Sequence, residues 1–137
     1  MKRAVFDTNI VVSGFLSPYG PPGRIVDWLR QGDLVAVLDD RIFREYAEVL
    51  TRPIFGLPAN DITTTLAGIA ERAEWVDIPP QDAYQLLPDP DDAPFVECAS
   101  IARVPLVTGN LRHFPRRLIG RLVVLTPVEF IKQMHNI

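Results

Sequence analysis

Cysteine is nearly absent: Cys98 is the single one among 137 residues. That excludes an intrachain disulfide and a cysteine-based zinc site, and it makes an intracellular protein the simplest expectation. Long hydrophobic runs are also missing. No apolar stretch approaches the ~20 residues of a membrane span, so no membrane partner is expected. The amino terminus meets Asp7 too soon for a secretory signal, which leaves the cytoplasm as the expected location. Basic charge is not in excess: 14 Lys and Arg stand against 17 Asp and Glu, a net of −3. A protein that coats nucleic acid by phosphate neutralisation alone is therefore disfavoured. A local basic patch beside metal-holding carboxylates is not. Lysine is scarce, with only Lys2 and Lys132, so the cationic groups are mostly arginines suited to bidentate phosphate contacts. A glycine-rich phosphate cradle is lacking too. The segment Ser17 to Gly23 is rich in Gly and Pro, but it has no Lys-Ser or Lys-Thr.

Present instead is the composition of a globular protein, 47% hydrophobic and 23% charged. The length fits one domain over residues 1–137. Strands are predicted at Arg3–Phe6, Leu34–Leu38, Trp75–Ile78, Leu106–Thr108 and Leu122–Leu125. Most are apolar throughout rather than alternating, which suits strands covered on both faces of a parallel sheet. Helical spacing is predicted over Gly23–Gln31, Asp40–Arg52, Asn60–Glu74, Asp92–Arg103 and Thr126 to about Met134. Gly32 is expected to stop the first of these, and an Asn-Asp pair to cap the third. Prolines, including the Pro79-Pro80 pair, mostly fall between elements. The fold class expected is α/β, with helices on both sides of a parallel sheet. In such sheets the functional crevice lies beyond the carboxyl ends of the strands.

Acids collect at those ends. Asp7 closes the first strand, where it is either a turn or cap residue or a metal ligand. Glu45 borders the apolar stripe of its helix and has no base at i+4, whereas Glu48 and Arg52 have the spacing of an exposed ion pair. Asp89, Asp91 and Asp92 put three carboxylates into four residues at the start of a helix, with Glu97 further along it. Their repulsion costs stability unless a cation or a helix start offsets it. Thr108-Gly109-Asn110 closes the fourth strand. Carboxylates converging without a Ser or Cys–His nucleophile suit a hard divalent cation, Mg²⁺ or Mn²⁺, and attack of metal-activated water on a phosphodiester. Arg112, His113, Arg116, Arg117 and Arg121 form a basic stretch next to Asn110, either a solvated loop or a contact for RNA phosphates. His113 is alternatively a residue packed beside Phe114 and is not assigned as a catalytic base.

These motifs, in this order and spacing, resemble the PIN-domain ribonucleases, most closely the VapC-like toxins of toxin–antitoxin pairs. The resemblance rests on Val5-Phe6-Asp7-Thr8-Asn9-Ile10-Val11-Val12-Ser13, Glu45, the run Asp89 to Ala99, and Leu106 to Phe114, and so spans nearly the whole chain. It implies a three-layer α/β/α sandwich around a parallel sheet of about five strands, and a Mg²⁺- or Mn²⁺-dependent ribonuclease. Asp7, Glu45 and Asp92 match the metal-binding acids. Asn110 stands where many members have a fourth Asp. Thr108 and Asn9 match the supporting polar positions. With Asn110 removing one charge, either one metal binds less tightly or Glu97 or Asp91 contributes in its stead. Single-stranded RNA is the expected substrate. A small antitoxin partner and a homodimer are also implied, with helices 24–31 and 60–74 as candidate interface elements. The alternative is a catalytically weakened PIN-like domain that binds RNA or a partner. A haloacid-dehalogenase-type phosphatase ranks low, because Asn9 stands where its second Asp is needed.

Overall fold

The computed structural model describes residues 2–79 and 86–135; Met1, and Pro80 of the proline pair, lie outside them. Five parallel strands form one sheet in the order β3-β2-β1-β4-β5. They are β1 (Lys2–Phe6), β2 (Leu34–Leu38), β3 (Glu74–Trp75), β4 (Leu106–Val107) and β5 (Val124–Leu125). Lys2 aligns with Leu34, Val5 with Leu106, Val37 with Glu74 and Leu106 with Val124. Among the described residues seven helices flank the sheet: α1 (Thr8–Leu16), α2 (Pro21–Gln31), α3 (Asp40–Leu50), α4 (Ala59–Arg72), α5 (Ala93–Ala102), α6 (Arg116–Ile119) and α7 (Pro127–His135). This is the α/β/α sandwich that the strand and helix pattern predicts. None of the described helices is long and apolar enough to cross a membrane.

Burial explains the apolar runs. Ala4, Val5, Phe6, Val37, Leu38, Leu106 and Val107 are all fully enclosed, because helices cover both faces of the sheet. The order of strands reverses at β1, which lies between β2 and β4. The crevice beyond the carboxyl ends of β1 and β4 is therefore the topological switch point, where such sheets bind ligands.

Several elements differ from expectation. No helix was expected before Gly23, yet α1 occupies Thr8–Leu16. Its β-branched Ile10, Val11 and Val12 and its Gly14 are poor helix formers, and its narrow outward side, Asn9, Ser13 and Leu16, ends in an apolar residue and so marks the helical period weakly. Tertiary packing decides the matter. A Cβ at Gly14 would lie 2.3 Å from Val26 Cγ2 and 2.8 Å from the Pro22 carbonyl, so the missing side chain is what lets α1 and α2 touch. Helix α2 starts two residues early, at Pro21, and ends at Gly32 with φ +83°, the left-handed stop expected of glycine. Helix α4 starts at Ala59 with Pro58 in the cap position, so Asn60 and Asp61 lie in its first turn and do not cap it. The β3 pairing falls at Glu74–Trp75 and not at Trp75–Ile78, and β4 and β5 keep only two residues each. Such short strands carry almost no periodicity of their own.

Candidate metal centre

Asp7 follows β1 directly, and its backbone N–H donates to the Val107 carbonyl at 2.9 Å. Its side chain thus emerges between the carboxyl ends of β1 and β4. Only 5% of the residue is exposed. Thr108 Oγ1 donates to Asp7 Oδ2 at 2.7 Å, and Asn9 Nδ2 reaches the same oxygen at 3.3 Å. Asn9 Oδ1 in turn accepts from the Gly109 N–H at 3.4 Å. These contacts fix the carboxylate against the β4 loop. Burial raises the Asp7 pKa, while the Thr108 hydrogen bond, the first N–H groups of α1 and the charge of His113 work against that rise.

Glu45 reaches the centre from α3. Thr8 Oγ1 donates to its Oε2. Burial is the largest cause of its raised pKa, and the charges of Asp7, Asp91 and Asp89 add to it. The next residue, Tyr46, is buried, and its hydroxyl donates to the Phe6 carbonyl at the end of β1. Helix α3 is thus tied to the strand that carries Asp7.

The acid-rich run forms a 3₁₀ turn over Pro90–Asp92, with Asp89 in its cap position and Pro90 at its start. Asp89 Oδ1 accepts from the Asp91 N–H at 3.0 Å, and the Asp89 carbonyl accepts from the Asp92 N–H, also at 3.0 Å. A 3₁₀ helix has about three residues per turn, so positions three apart eclipse each other. Asp89 and Asp92 therefore share a side, and Asp91 is exposed, with its charge acting on Glu45. Asp92 is buried, and its pKa is pushed up to about 7 by burial first, then by the charges of Asp7 and Asp89. His113, from the 3₁₀ turn Leu111–His113 after β4, places Nδ1 2.9 Å from Asp92 Oδ2. One ligand atom each from Asp89, Asp92 and His113 lie within 4.8 Å of one another.

The structure thus brings Asp7, Glu45 and Asp92 into one electrostatic neighbourhood, with Thr108 and Asn9 supporting Asp7. Two contributors differ from the sequence reading. Asp89, which the resemblance does not match to a metal-binding acid, lies in the cluster, and the three-residue spacing to Asp92 was its signal. His113, expected either in the basic stretch or packed beside Phe114, faces Asp92; nothing in its local sequence marks that contact. Glu97 does not join the cluster: its Oε2 accepts from Arg41 Nη2 at 2.7 Å. Five helical residues separate it from Asp92, a rotation of about 140°, which turns it toward α3. Asn110 lies in the β4 loop, where its N–H donates to Thr108 Oγ1 at 3.1 Å. Arg112, Arg116 and Arg117 are exposed near this loop. The donor set fits a metal ion. Several buried carboxyls held above their ordinary range, with oxygen donors and one imidazole, match the ligands that hard divalent cations take.

The family model described as PIN domain matches residues 3–112. The chain belongs to the PIN-domain family. PIN domains are generally metal-dependent nucleases, and the match spans Asp7, Glu45, Asp89, Asp92, Thr108 and Asn110 together. This PIN domain is also similar to an uncharacterized protein of Methanocaldococcus jannaschii. The two are 25% identical over 143 residues, covering 98% of this chain and 92% of the archaeal one. No solved structure matches the chain.

Proposed function

We propose that this PIN domain is a Mg²⁺- or Mn²⁺-dependent endoribonuclease acting on single-stranded RNA. The observation that supports it most is the convergence of Asp7, Glu45, Asp89 and Asp92 with His113 at the switch point of the sheet. The raised pKa values record first the cost of burying these carboxyls and, at Glu45 and Asp92, also repulsion from neighbouring acids; a cation would offset both.

In this reading Asp7, Glu45 and Asp92 hold the cation, and Asp89 and His113 complete the set. A bound Mg²⁺ or Mn²⁺ supplies positive charge at the scissile phosphate and makes water a nucleophile at neutral pH. Thr108 and Asn9 keep the Asp7 carboxylate oriented, and Thr8 does the same for Glu45. One carboxylate of the set accepts the proton of the attacking water. Asn110 leaves the pocket one charge short of four strand-end and helix acids. Asp89, on the same side as Asp92, offsets that loss, since Glu97 is engaged by Arg41. Arg112, Arg116 and Arg117 contact RNA phosphates. The resemblance to VapC-like proteins supports a toxin role in the cytoplasm, a small antitoxin partner and a homodimer.

The test is cleavage of a mixed single-stranded RNA pool with Mg²⁺, with Mn²⁺ and with EDTA, beside an Asp7→Asn variant. Metal-dependent cutting that vanishes in the variant is expected. No cutting by folded, partner-free protein with either metal would overturn the nuclease reading in favour of an RNA- or partner-binding PIN domain weakened at Asn110.

A further inference from the structure

The charge of this chain is unevenly placed. Between Glu97 and Glu129 there is no acidic residue, but there are five arginines: Arg103, Arg112, Arg116, Arg117 and Arg121. All five are exposed. Elsewhere Arg3, Arg30, Arg41 and Arg52 each meet a carboxylate within 4.0 Å. None of these five does among the described residues.

Topology spreads the five along a path. Strands β4 and β5 are parallel neighbours, so the chain leaving β4 beside the metal centre must return to the amino end of the sheet before β5 begins. Arg112 stands at the start of that return, next to His113. Arg116 and Arg117 open α6, and Arg121 ends the path just before β5. Arg103 closes α5 at the same end of the sheet.

Between Arg103 and Arg121 lies a cavity of about 400 Å³, with Val104, Pro105, Ile119 and Leu122 in its walls and both arginines on its lining. Its size is that of a small-ligand site, and its walls are mainly apolar. Pro105 is three residues, about 10 Å, before Thr108, the partner of Asp7, so the cavity lies at the opposite end of β4 from the metal centre. Arg103 adds a second observation. Its φ is +57°, left-handed backbone at a helix end where glycine is favoured. An arginine here holds a conformation that costs energy for any side chain.

We propose that this cavity is a remote RNA subsite. It takes a nucleotide of the same single strand whose scissile phosphate occupies the metal centre, with the base against the apolar walls and its phosphates on Arg103 and Arg121. The charge supports RNA: the stretch from Arg103 to Arg121 holds five exposed arginines and no acid, and guanidinium groups pair with phosphates through forked hydrogen bonds. The proposal rests on the ribonuclease reading above.

The test compares uridine oligonucleotides of roughly four and roughly twelve nucleotides, spanning the range of single-strand site sizes. Affinities are measured by fluorescence anisotropy in an Asp7→Asn background with Mg²⁺ present. The double variant Arg103→Gly, Arg121→Gln relieves the left-handed strain at Arg103, so loss of fold does not confuse the result; circular dichroism checks it. The longer strand is expected to bind more tightly than the shorter. In the double variant that gain shrinks about tenfold, and the salt slope for the long strand falls by about 1.4, because two phosphates are no longer neutralised. An undiminished gain with an unchanged slope overturns the subsite and leaves the groove to an acidic protein partner. Failure of the wild-type protein, with Asp7 intact and Mg²⁺ or Mn²⁺ present, to cut RNA removes the ribonuclease reading as well, which is a different outcome from loss of the length dependence alone.

Discussion

Arg41 and Glu97 form an ion pair with 2.7 Å between Nη2 and Oε2, and it joins α3 to α5. The Glu97 side chain is 2% exposed and that of Arg41 is 42% exposed. Arg41 also meets Asp39, with Nε 2.8 Å from Oδ2, and Asp39 Oδ1 caps α3 through the Ile42 N–H at 3.1 Å. Arg41 and Glu45 are four residues apart and share a face of α3. The pair therefore fixes the helix that presents Glu45 against the helix that begins at Asp92.

The two ends of this pair should differ in cost. Arg41→Met strands a buried carboxylate, and an unpaired buried charge costs several kcal/mol. Because the arginine end is partly solvated, a loss of about 2–4 kcal/mol is expected. Glu97→Gln keeps the shape and leaves Arg41 paired with Asp39, so about 1–2 kcal/mol is expected. Urea denaturation of both variants measures the difference. Equal costs, or a larger one for Glu97→Gln, would contradict the pairing.

The Asp92 pKa of about 7 couples the metal-free fold to pH. A carboxyl raised on folding binds its proton more tightly in the native state than in the unfolded one. Metal-free stability should therefore fall as pH rises from about 4 to 7, then level off. Cation binding must expel that proton, so Mn²⁺ affinity should rise about tenfold per pH unit up to roughly 7. Denaturation with EDTA at a series of pH values, together with Mn²⁺ titrations followed by electron paramagnetic resonance, reads both slopes. A Mn²⁺ affinity that stays flat across that range would dissociate Asp92 from the metal.

Cys98 offers a check on the packing of α5. It is wholly buried, and its thiol is pushed up to about 12, chiefly by burial and then by the charge of Asp39. A thiol so placed is protonated and shielded. No reaction with a disulfide reagent is expected at pH 8 in the folded protein, and one equivalent should react in guanidinium. Fast labelling of the native protein would show that α5 opens.

Much of the fold was legible because burial on both faces of a parallel sheet leaves continuous apolar runs. Leu34–Leu38 has the bounds that its sequence predicts. Helix α3 could be read from its strong two-sided character, and the Glu48–Arg52 pair expected on it is present at 2.8 Å. Helix α1 could not be read, because Ile10, Val11 and Val12 are enclosed and Gly14 is there for contact with Val26. Its narrow solvent side, Asn9, Ser13 and Leu16, ends in an apolar residue, so the amphipathic period is blurred.

The candidate site divides in the same way. The sequence by itself determined that acids stand at strand ends and helix starts, since chain order and apolar runs place Asp7, Asp92 and the Thr108 loop there. It also determined the acid-free arginine stretch after Glu97. Only the tertiary structure decided which acids face one another. The strand order β3-β2-β1-β4-β5 sets Asp7 beside Thr108, 101 residues away. Helix rotation turned Glu97 to Arg41, the 3₁₀ turn brought Asp89 beside Asp92, and the loop after β4 carried His113 to the same carboxylate. Spacing along a chain fixes the face of an element on which a residue lies, but not which face lies opposite; that depends on how the elements pack to bury their apolar surface.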